Sequence, residues 1–257
     1  MVVPPQSFTQ QARLAITLAW VAGYTNTVAL VACGAAVSHV SGTTSRLGID
    51  AAEGRWAAGL FALFLLVSFF LGALASGACS EIARRRGWAS AFALPIAVEA
   101  ALLLLFALGL ELSAPESRSG GTTLYTLTGV ATMAMGLQNA TITRISSGVV
   151  RTTHVTGVLT DLGIETAQCL LWLSEKRSVR AMHTHPAARR LALLVSIIGS
   201  FALGAGLGAF AYGAIERWAM NPPVLFLIWL IYRDLKSPIA RFRTPPRTTP
   251  EREAPLG

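Results

Sequence analysis

The chain has 257 residues, of which 53% are hydrophobic and only 13% charged, and its mean hydropathy is +0.54. Soluble domains carry charge on about a quarter of their residues, so this composition excludes an ordinary soluble protein. It also excludes a disordered chain, which would be poor in apolar residues, and a disulfide scaffold, for which 3 cysteines are too few. The remaining class is a multi-pass membrane protein, whose main partner is the lipid bilayer.

Six apolar stretches suit membrane-spanning helices, which need about 20 residues each. They cover residues 13–36, 57–79, 88–112, 122–145, 190–215 and 221–235, and the last one is short. Residues 236–257 are rich in Pro, Arg and Thr without periodicity, which predicts a disordered basic cytoplasmic tail. The sequence therefore predicts an all-α protein with a single transmembrane domain over residues 1–235.

Two further segments are helix-like but poorly suited to crossing a bilayer. Residues 40–53 are too few to span and carry charged side chains, and residues 155–173 carry Asp161 and Glu165. We expect both segments to be half-helices, either re-entrant or lying at a membrane interface. The alternative for residues 155–173 is a seventh span.

The net charge of +8 is explained by membrane topology rather than by a nucleic-acid partner. With a cytoplasmic N-terminus and six spans, seventeen of the 21 Lys and Arg residues lie on the cytoplasmic side. The outside receives the other four, which are Arg46, Arg55, Arg118 and Arg217. This asymmetry follows the positive-inside rule, and it becomes weaker with seven spans. We therefore expect six spans with both termini in the cytoplasm.

The chain also resembles itself. Ala22-Gly23-Tyr24-Thr25-Asn26 matches Met135-Gly136-Leu137-Gln138-Asn139 at an offset of 113 residues, and His39-Val40-Ser41-Gly42 matches His154-Val155-Thr156-Gly157 at 115. Residues 69–73 match residues 201–205 at an offset of 132. Each repeat, about 13–112 and about 122–235, contains three spans. Because three is odd, the second repeat must run opposite to the first, and such inverted repeats are typical of secondary transporters.

The His-Val-Ser/Thr-Gly string lies just before a half-helix in both repeats. Glycine lets the backbone turn and approach a ligand, and Ser41 or Thr156 can cap the helix that follows. Two such helix starts facing one midplane cavity suit an anion or a carboxylate. The alternative is that the glycines only end helices and that the histidines are satisfied polar groups. The candidate substrate-binding residues are His39, Ser41, Gly42, Thr43, His154, Thr156, Gly157 and Asp161.

Polar residues within or between the predicted spans form a second set of candidates. Glu99 is an acid inside a long span, and Pro95 is expected to kink that helix. Asn26 and Asn139 hold equivalent places in the two repeats and suit either interhelical hydrogen bonds or the site. Where the first half-helix has Arg46 and Asp50, the second has Asp161 and Glu165. We therefore expect Arg46 to contact Asp161 or Glu165 across the repeat axis.

Catalytic signals are missing from the sequence. It contains no HExxH, GxSxG, paired CxxC or phosphate-loop string. We therefore expect no enzymatic activity, no cofactor and no bound metal, with a membrane-embedded enzyme as the weakest alternative. The favoured function is transport of a small solute, with or without a coupling ion. A non-transporting structural or regulatory membrane protein, or a homodimer, is the alternative.

The paired strings resemble those of a known family. They are Gly23-Tyr24-Thr25-Asn26, Ser38-His39-Val40-Ser41-Gly42-Thr43, Gly136-Leu137-Gln138-Asn139-Ala140, and the run from Thr152 to Gly163. Over about residues 13–235 the chain resembles the YoaK-type family of uncharacterised bacterial membrane proteins. In that family the first motif usually continues Thr-Gly-Asn, whereas this chain has Ser41-Gly42-Thr43. The resemblance implies a location in the bacterial inner membrane and supplies no substrate.

Overall fold

A computed structural model describes residues 2–3, 8–90, 92–145, 155–174, 186–237 and 241–242. Almost all of these residues are helical, as the composition predicts. The elements in chain order are β1 Val2–Val3, α1 Phe8–Cys33, α2 Val40–Ala52, α3 Trp56–Arg85, α4 Ala93–Leu112, a 3-10 helix Pro115–Ser119, α5 Gly121–Ile145, α6 Val155–Ser174, α7 Pro186–Ile215, a 3-10 helix Glu216–Trp218, α8 Asn221–Lys236 and β2 Arg241–Phe242.

Four of these helices are long and apolar enough to cross a membrane. They are the segments Ala12–Cys33 of α1, Trp56–Arg85 of α3, Ala93–Leu112 of α4, and Ala187–Trp218, which includes most of α7. Large apolar side chains point outward from them, and Phe70, Phe210 and Leu112 are 64%, 74% and 85% exposed. Such a surface suits lipid rather than water. Helices α5 and α8 occupy the fourth and sixth predicted spans, but α8 has only 16 residues.

Glycines set the closest contacts between the long helices. A side-chain carbon at Gly23 of α1 would overlap the carbonyl group of Phe201 on α7, and one at Gly204 would overlap that of Trp20. Helices α3 and α5 meet in the same way, at Gly136 with Phe69 and at Gly72 with Met133. Small residues allow membrane helices to approach to backbone contact, which gives strong dispersion attraction.

The two glycine contacts are equivalent under the sequence repeat. Gly136 and Met133 lie 113 residues after Gly23 and Trp20, which is the offset of the first string pair. Phe201 and Gly204 lie 132 residues after Phe69 and Gly72, which is the offset of the third pair. The first helix of each sequence repeat therefore packs on the second long helix of the other repeat.

Paired contacts also give the direction of each helix. Helices α1 and α7 run parallel because residue numbers rise together along both, from Ile16 and Ser200 to Tyr24 and Gly208. Helices α3 and α5 are parallel for the same reason, as shown by the pairs Phe61 with Tyr125, Gly72 with Met133, and Ser76 with Thr141. Helices α4 and α5 are antiparallel neighbours, since Gly109 meets Leu127 across the short connection between them.

The remaining directions follow from buried polar contacts at helix ends. Ser90 accepts hydrogen bonds from the N–H groups of Phe92 and Ala93 at the start of α4, and it donates one to buried Asp234 near the end of α8. Helices α4 and α8 are therefore antiparallel. Arg118 binds the carbonyl of Leu110 near the end of α4 and Glu216 just after α7. The carboxyl-terminal ends of α4 and α7 therefore lie together.

The position of Pro95 differs from the sequence-based expectation. Helix α4 begins at Ala93, so Pro95 is its third residue and lies in the first turn, where proline costs no hydrogen bond and causes no kink. Within the predicted tail, Arg241–Phe242 pairs antiparallel with Val2–Val3 and brings the two terminal segments together. Residues 243–257 of that tail lie outside the described part of the chain.

Candidate functional site

The first motif is placed by a loop that turns back along α1. Helix α1 ends at Cys33, and Gly34 turns the chain with a φ of 69°. The carboxamide oxygen of Asn26 then accepts hydrogen bonds from the N–H groups of Val37 at 3.0 Å and Ser38 at 3.1 Å, and from the Ser38 hydroxyl at 3.0 Å. At 1.5 Å per residue, Asn26 lies about 10 Å before the end of α1. The chain therefore re-enters the helix bundle before α2 begins.

Helix α2 begins two residues earlier than it would if Ser41 were its N-cap. Its first residue is Val40, and His39 is the N-cap residue but makes no side-chain capping hydrogen bond. Ser41, Gly42 and Thr43 therefore lie in the first helical turn, and the expectation that Ser41 caps the helix is wrong. Thr156 likewise lies inside α6, which begins at Val155. The N–H groups of the first turn of α2 have no side-chain cap, which leaves them available to a ligand.

An open cavity of about 1220 Å³ joins the two motif copies. Its walls come from the start of α2, the second half of α3, the end of α5 and the start of α6. The lining residues are Ser38, His39, Val40, Ser41, Gly42, Phe69, Phe70, Ala73, Leu74, Gly77, Ala78, Asn139, Ala140, Thr143, Arg144, Val155 and Thr156. Its size is sufficient for a small organic solute.

The polar part of this cavity is suited to negative charge. Arg144 is exposed at the end of α5, His39 is exposed just before α2, and both line the cavity. Among the described lining residues none is acidic. The amino-terminal ends of α2 and α6 both open into the same space, and helix starts carry partial positive charge. Open space lies beside Gly42, because no atom lies within 4 Å of the place where a side-chain carbon would be.

A second, smaller cavity of about 420 Å³ lies between α2 and α3. His39 and Gly42 also line it, together with Thr43, Arg46 and Asp50. Asp50 is engaged elsewhere, because its carboxylate accepts two hydrogen bonds from Arg55, at 2.9 and 2.6 Å. Thr43 and Arg46 line this smaller cavity and do not line the cavity that joins the motifs.

The predicted contact of Arg46 with Asp161 or Glu165 is wrong. No ion pair connects Arg46 with either acid among the described residues, whereas Glu165 is buried and accepts a hydrogen bond from Arg190 at 3.3 Å. Helix α6 packs on α7, which supplies that partner. Asp161 is exposed and lines neither of the two cavities described above.

The other predicted residues divide as follows. Asn139 lines the joining cavity, and Asn26 supports it by holding the loop before α2. Gly157 lies in the first turn of α6. Glu99 is fully buried in α4 and lines neither cavity. His154 lies outside the described residues. Across the described chain, no group of three His, Cys, Asp or Glu side chains is placed to hold a metal ion.

Arg118 is a structural residue that the sequence did not reveal. Its side chain is 0% exposed, although it lies in a short polar connection that was predicted to be outside the membrane. The guanidinium donates to the carbonyls of Leu110 at 2.7 Å and Ser113 at 2.9 Å, to Tyr212 at 2.9 Å and to Glu216 at 2.8 Å. The Ser, Pro and Gly residues around it indicate only a loop.

Four helices long and apolar enough to cross a membrane, with large apolar side chains exposed on them, define the class of this molecule as a helical membrane protein. Residues 14–232 match the family described as "Protein of unknown function (DUF1275)". The chain therefore belongs to that uncharacterised family, which confirms the resemblance to an uncharacterised family found in the motif strings. No curated protein and no solved structure matches the chain.

Proposed function

We propose that this protein is a transporter or permease for a small anionic solute, and not an enzyme. In this proposal six helices, α1, α3, α4, α5, α7 and α8, cross the bacterial inner membrane, with both termini in the cytoplasm. Helices α2 and α6 are re-entrant half-helices, and the solute binds between their amino-terminal ends. The observation that carries the proposal is the cavity that the two motif copies line together.

The helix directions support two inverted repeats. Helices α1, α4 and α7 run one way, and α3, α5 and α8 run the other way. The directions of the three long helices in the first repeat are therefore the reverse of the directions of their counterparts in the second repeat. Pairing of Val2–Val3 with Arg241–Phe242 brings the termini to one side, which fits an even number of crossings. The excess of Lys and Arg on that side supports a cytoplasmic location.

The chemistry of the cavity supports an anionic substrate. Arg144, His39 and two helix starts provide donors and positive potential, and the described lining contains no carboxylate to oppose them. Phe69, Phe70 and Leu74 supply apolar walls of the same cavity. Binding between inverted repeats at irregular backbone is the arrangement that alternating access uses.

One observation favours a second candidate, a non-transporting membrane protein that forms a homodimer. Helix α2 has no buried residue, so its outer surface is free to meet a second copy. Lipid also suits that surface, because the hydroxyls of Thr43, Thr44 and Ser45 donate to carbonyls within the helix. An uptake measurement separates the two candidates.

The test begins with thermal unfolding of the detergent-purified protein in inorganic phosphate, sulfate, acetate and succinate. Counterflow uptake of each radiolabelled anion into proteoliposomes follows. We expect at least one anion to stabilise the protein and to be taken up. His39→Ala and Arg144→Ala should each lower uptake about tenfold, the effect of losing one charge-assisted hydrogen bond. Arg189→Ala, an exposed arginine on α7, is the matched control and should retain uptake. Uptake unchanged in both cavity variants, or no uptake of any anion, contradicts the proposal.

A further inference from the structure

Glu99 is a buried acid without a hydrogen-bond partner. Its side chain is 0% exposed in the second turn of α4, and neither carboxyl oxygen has a partner within the described structure. Burying an ionised carboxylate without a partner costs far more free energy than burying the neutral acid. Acids retained inside membrane helices are commonly proton-carrying groups.

Opposite charges that could balance an ionised Glu99 are remote along the packed helices. Helix α4 packs on α3, α5 and α8, and near its carboxyl-terminal end on the 3-10 helix Glu216–Trp218, which carries Glu216 and Arg217. The ionisable side chains of these three helices lie near helix ends, and they are Cys79, Glu81, Arg84 and Arg85 on α3, Tyr125 and Arg144 on α5, and Tyr232, Arg233, Asp234 and Lys236 on α8. On α4 itself the other acid is Glu111, in the last turn, and Arg118 binds near that same end. No cation of these helices therefore lies at the level of Glu99.

The packing of α4 on α5 brings Gln138 to the same depth as Glu99. Gly109 and Leu127 are in contact on these antiparallel helices. Glu99 lies about 15 Å before Gly109, and Gln138 about 16.5 Å after Leu127, at 1.5 Å per residue. Both residues also belong to the buried stripe of their helix. Glu99 and Gln138 therefore lie at the same depth along the packed helices α4 and α5.

The carboxamide of Gln138 is oriented by α1. Its Nε2 donates to the carbonyl oxygen of Leu18 at 2.5 Å, so its Oε1 is fixed as an acceptor, and that buried Oε1 has no partner among the described residues. An ionised Glu99 offers only acceptors and cannot satisfy it. A protonated Glu99 has one O–H donor. A single proton on Glu99 therefore gives Gln138 Oε1 a hydrogen-bond donor and gives the Glu99 carboxyl group a hydrogen-bond partner.

We propose that Glu99 and Gln138 form a proton-binding site, with the proton on Glu99 and Gln138 as its acceptor. Proton binding forms the O–H bond on a carboxylate oxygen, and release leaves the electron pair on that oxygen. Gln138 precedes Asn139, which lines the solute cavity, so the proton and the solute act on the same turn of α5. The site is the proton-coupling site of the transporter, and this part of the inference rests on the proposed function.

Infrared difference spectroscopy tests the proton site without any transported solute. The protonated carboxyl of Glu99 should give a carbonyl band above the carboxylate region that shifts to lower frequency in deuterated water. Glu99→Gln should remove this band, and Glu99→Asp should move it while keeping a carboxyl. Gln138→Met should raise its frequency because a hydrogen bond is lost. Glu111→Gln, on the same helix, should leave it unchanged.

Three infrared results would overturn the proton assignment. The first is a difference spectrum between the wild type and both Glu99 variants that contains no protonated-carboxyl band. The second is a band that Gln138→Met does not move. The third is a band that is absent in sodium chloride and present only when choline replaces sodium, which would assign the site to Na⁺. Gel filtration and unfolding temperature show whether each variant remains folded.

Coupling is tested separately with the four anions named above. Wild-type proteoliposomes should accumulate the transported anion against its gradient when the outside is acidified, and Glu99→Gln should keep counterflow exchange but lose this accumulation. Unchanged accumulation in Glu99→Gln overturns the coupling role. If the wild type carries none of the anions, the proposed function fails, while the infrared result still decides whether Glu99 binds a proton.

Discussion

Gly136→Ala is expected to disrupt the packing of α3 on α5 and to lower the free energy of unfolding by about 3 kcal/mol or more, at the upper end of the usual overpacking cost. The added carbon would overlap the carbonyl oxygen of Phe69 and lie 2.8 Å from its carbonyl carbon. A flexible side chain can move away, but a helix backbone cannot do so without separating the two helices. Gly72→Ala should have a comparable effect, because its new carbon would overlap the carbonyl group of Met133.

Matched controls are available on the same helices and on the equivalent pair. Gly77→Ala on α3 has nothing within 4 Å of the new carbon and should leave the unfolding temperature unchanged apart from a small gain in helix propensity. Gly23→Ala should reproduce the effect of Gly136→Ala at the α1–α7 contact. Fluorescence-detected gel filtration after heating measures all four variants. A Gly136→Ala variant as heat-resistant as Gly77→Ala would contradict the packing described above.

Arg118→Ala is expected to be the most damaging substitution outside the long helices. It removes a fully buried guanidinium and leaves buried acceptors near the carboxyl-terminal end of α4 without a donor. The buried carbonyl of Leu110 then lacks a donor, which costs about 1–3 kcal/mol, and the lost ion pair with Glu216, which is 44% exposed, adds little. The unfolding temperature in detergent should fall sharply, and the ends of α4 and α7 should separate.

Two further variants show whether the effect comes from the hydrogen bonds. Arg118→Lys keeps the charge but cannot reproduce the fork of donors, so it should recover only part of the lost stability. Arg217→Ala removes an exposed arginine close to Glu216 in the chain and should have little effect. Full recovery by Arg118→Lys would show that charge, and not the hydrogen-bonding geometry, stabilises this end of the bundle.

Hydrophobic patterning was sufficient to locate the helices. The predicted spans 57–79 and 122–145 contain the cores of α3 and α5, and the predicted half-helix 40–53 coincides with Val40–Ala52 to within one residue. The repeat strings also indicated which residues act as counterparts, since Gly23 and Gly136 make equivalent contacts. Helix positions depend on local hydrophobic patterns, and the counterpart residues follow from the internal repeat. Both can therefore be predicted from a single sequence.

Partners of individual polar side chains could not be predicted in this way. Asn26 binds the backbone of Val37 and Ser38 only because the chain turns back at Gly34. Glu165 meets Arg190 because α6 packs on α7, and no pattern in either helix specifies that pairing. The burial of Arg118 likewise depends on where two distant helix ends meet. Such contacts depend on tertiary packing, which short strings do not encode.

The central claim is that the two motif copies face each other across one cavity. Cysteine cross-linking between Ser41→Cys and Thr156→Cys in native membranes tests it most directly, with Cys33, Cys79 and Cys169 replaced beforehand. A short bifunctional maleimide should join the two positions, and pairing Ser41→Cys with exposed Thr160→Cys, which lies one turn further along α6, should give much less product. If each cysteine reacts with a monofunctional maleimide but the pair is never joined, the motifs do not share a cavity and the account is contradicted.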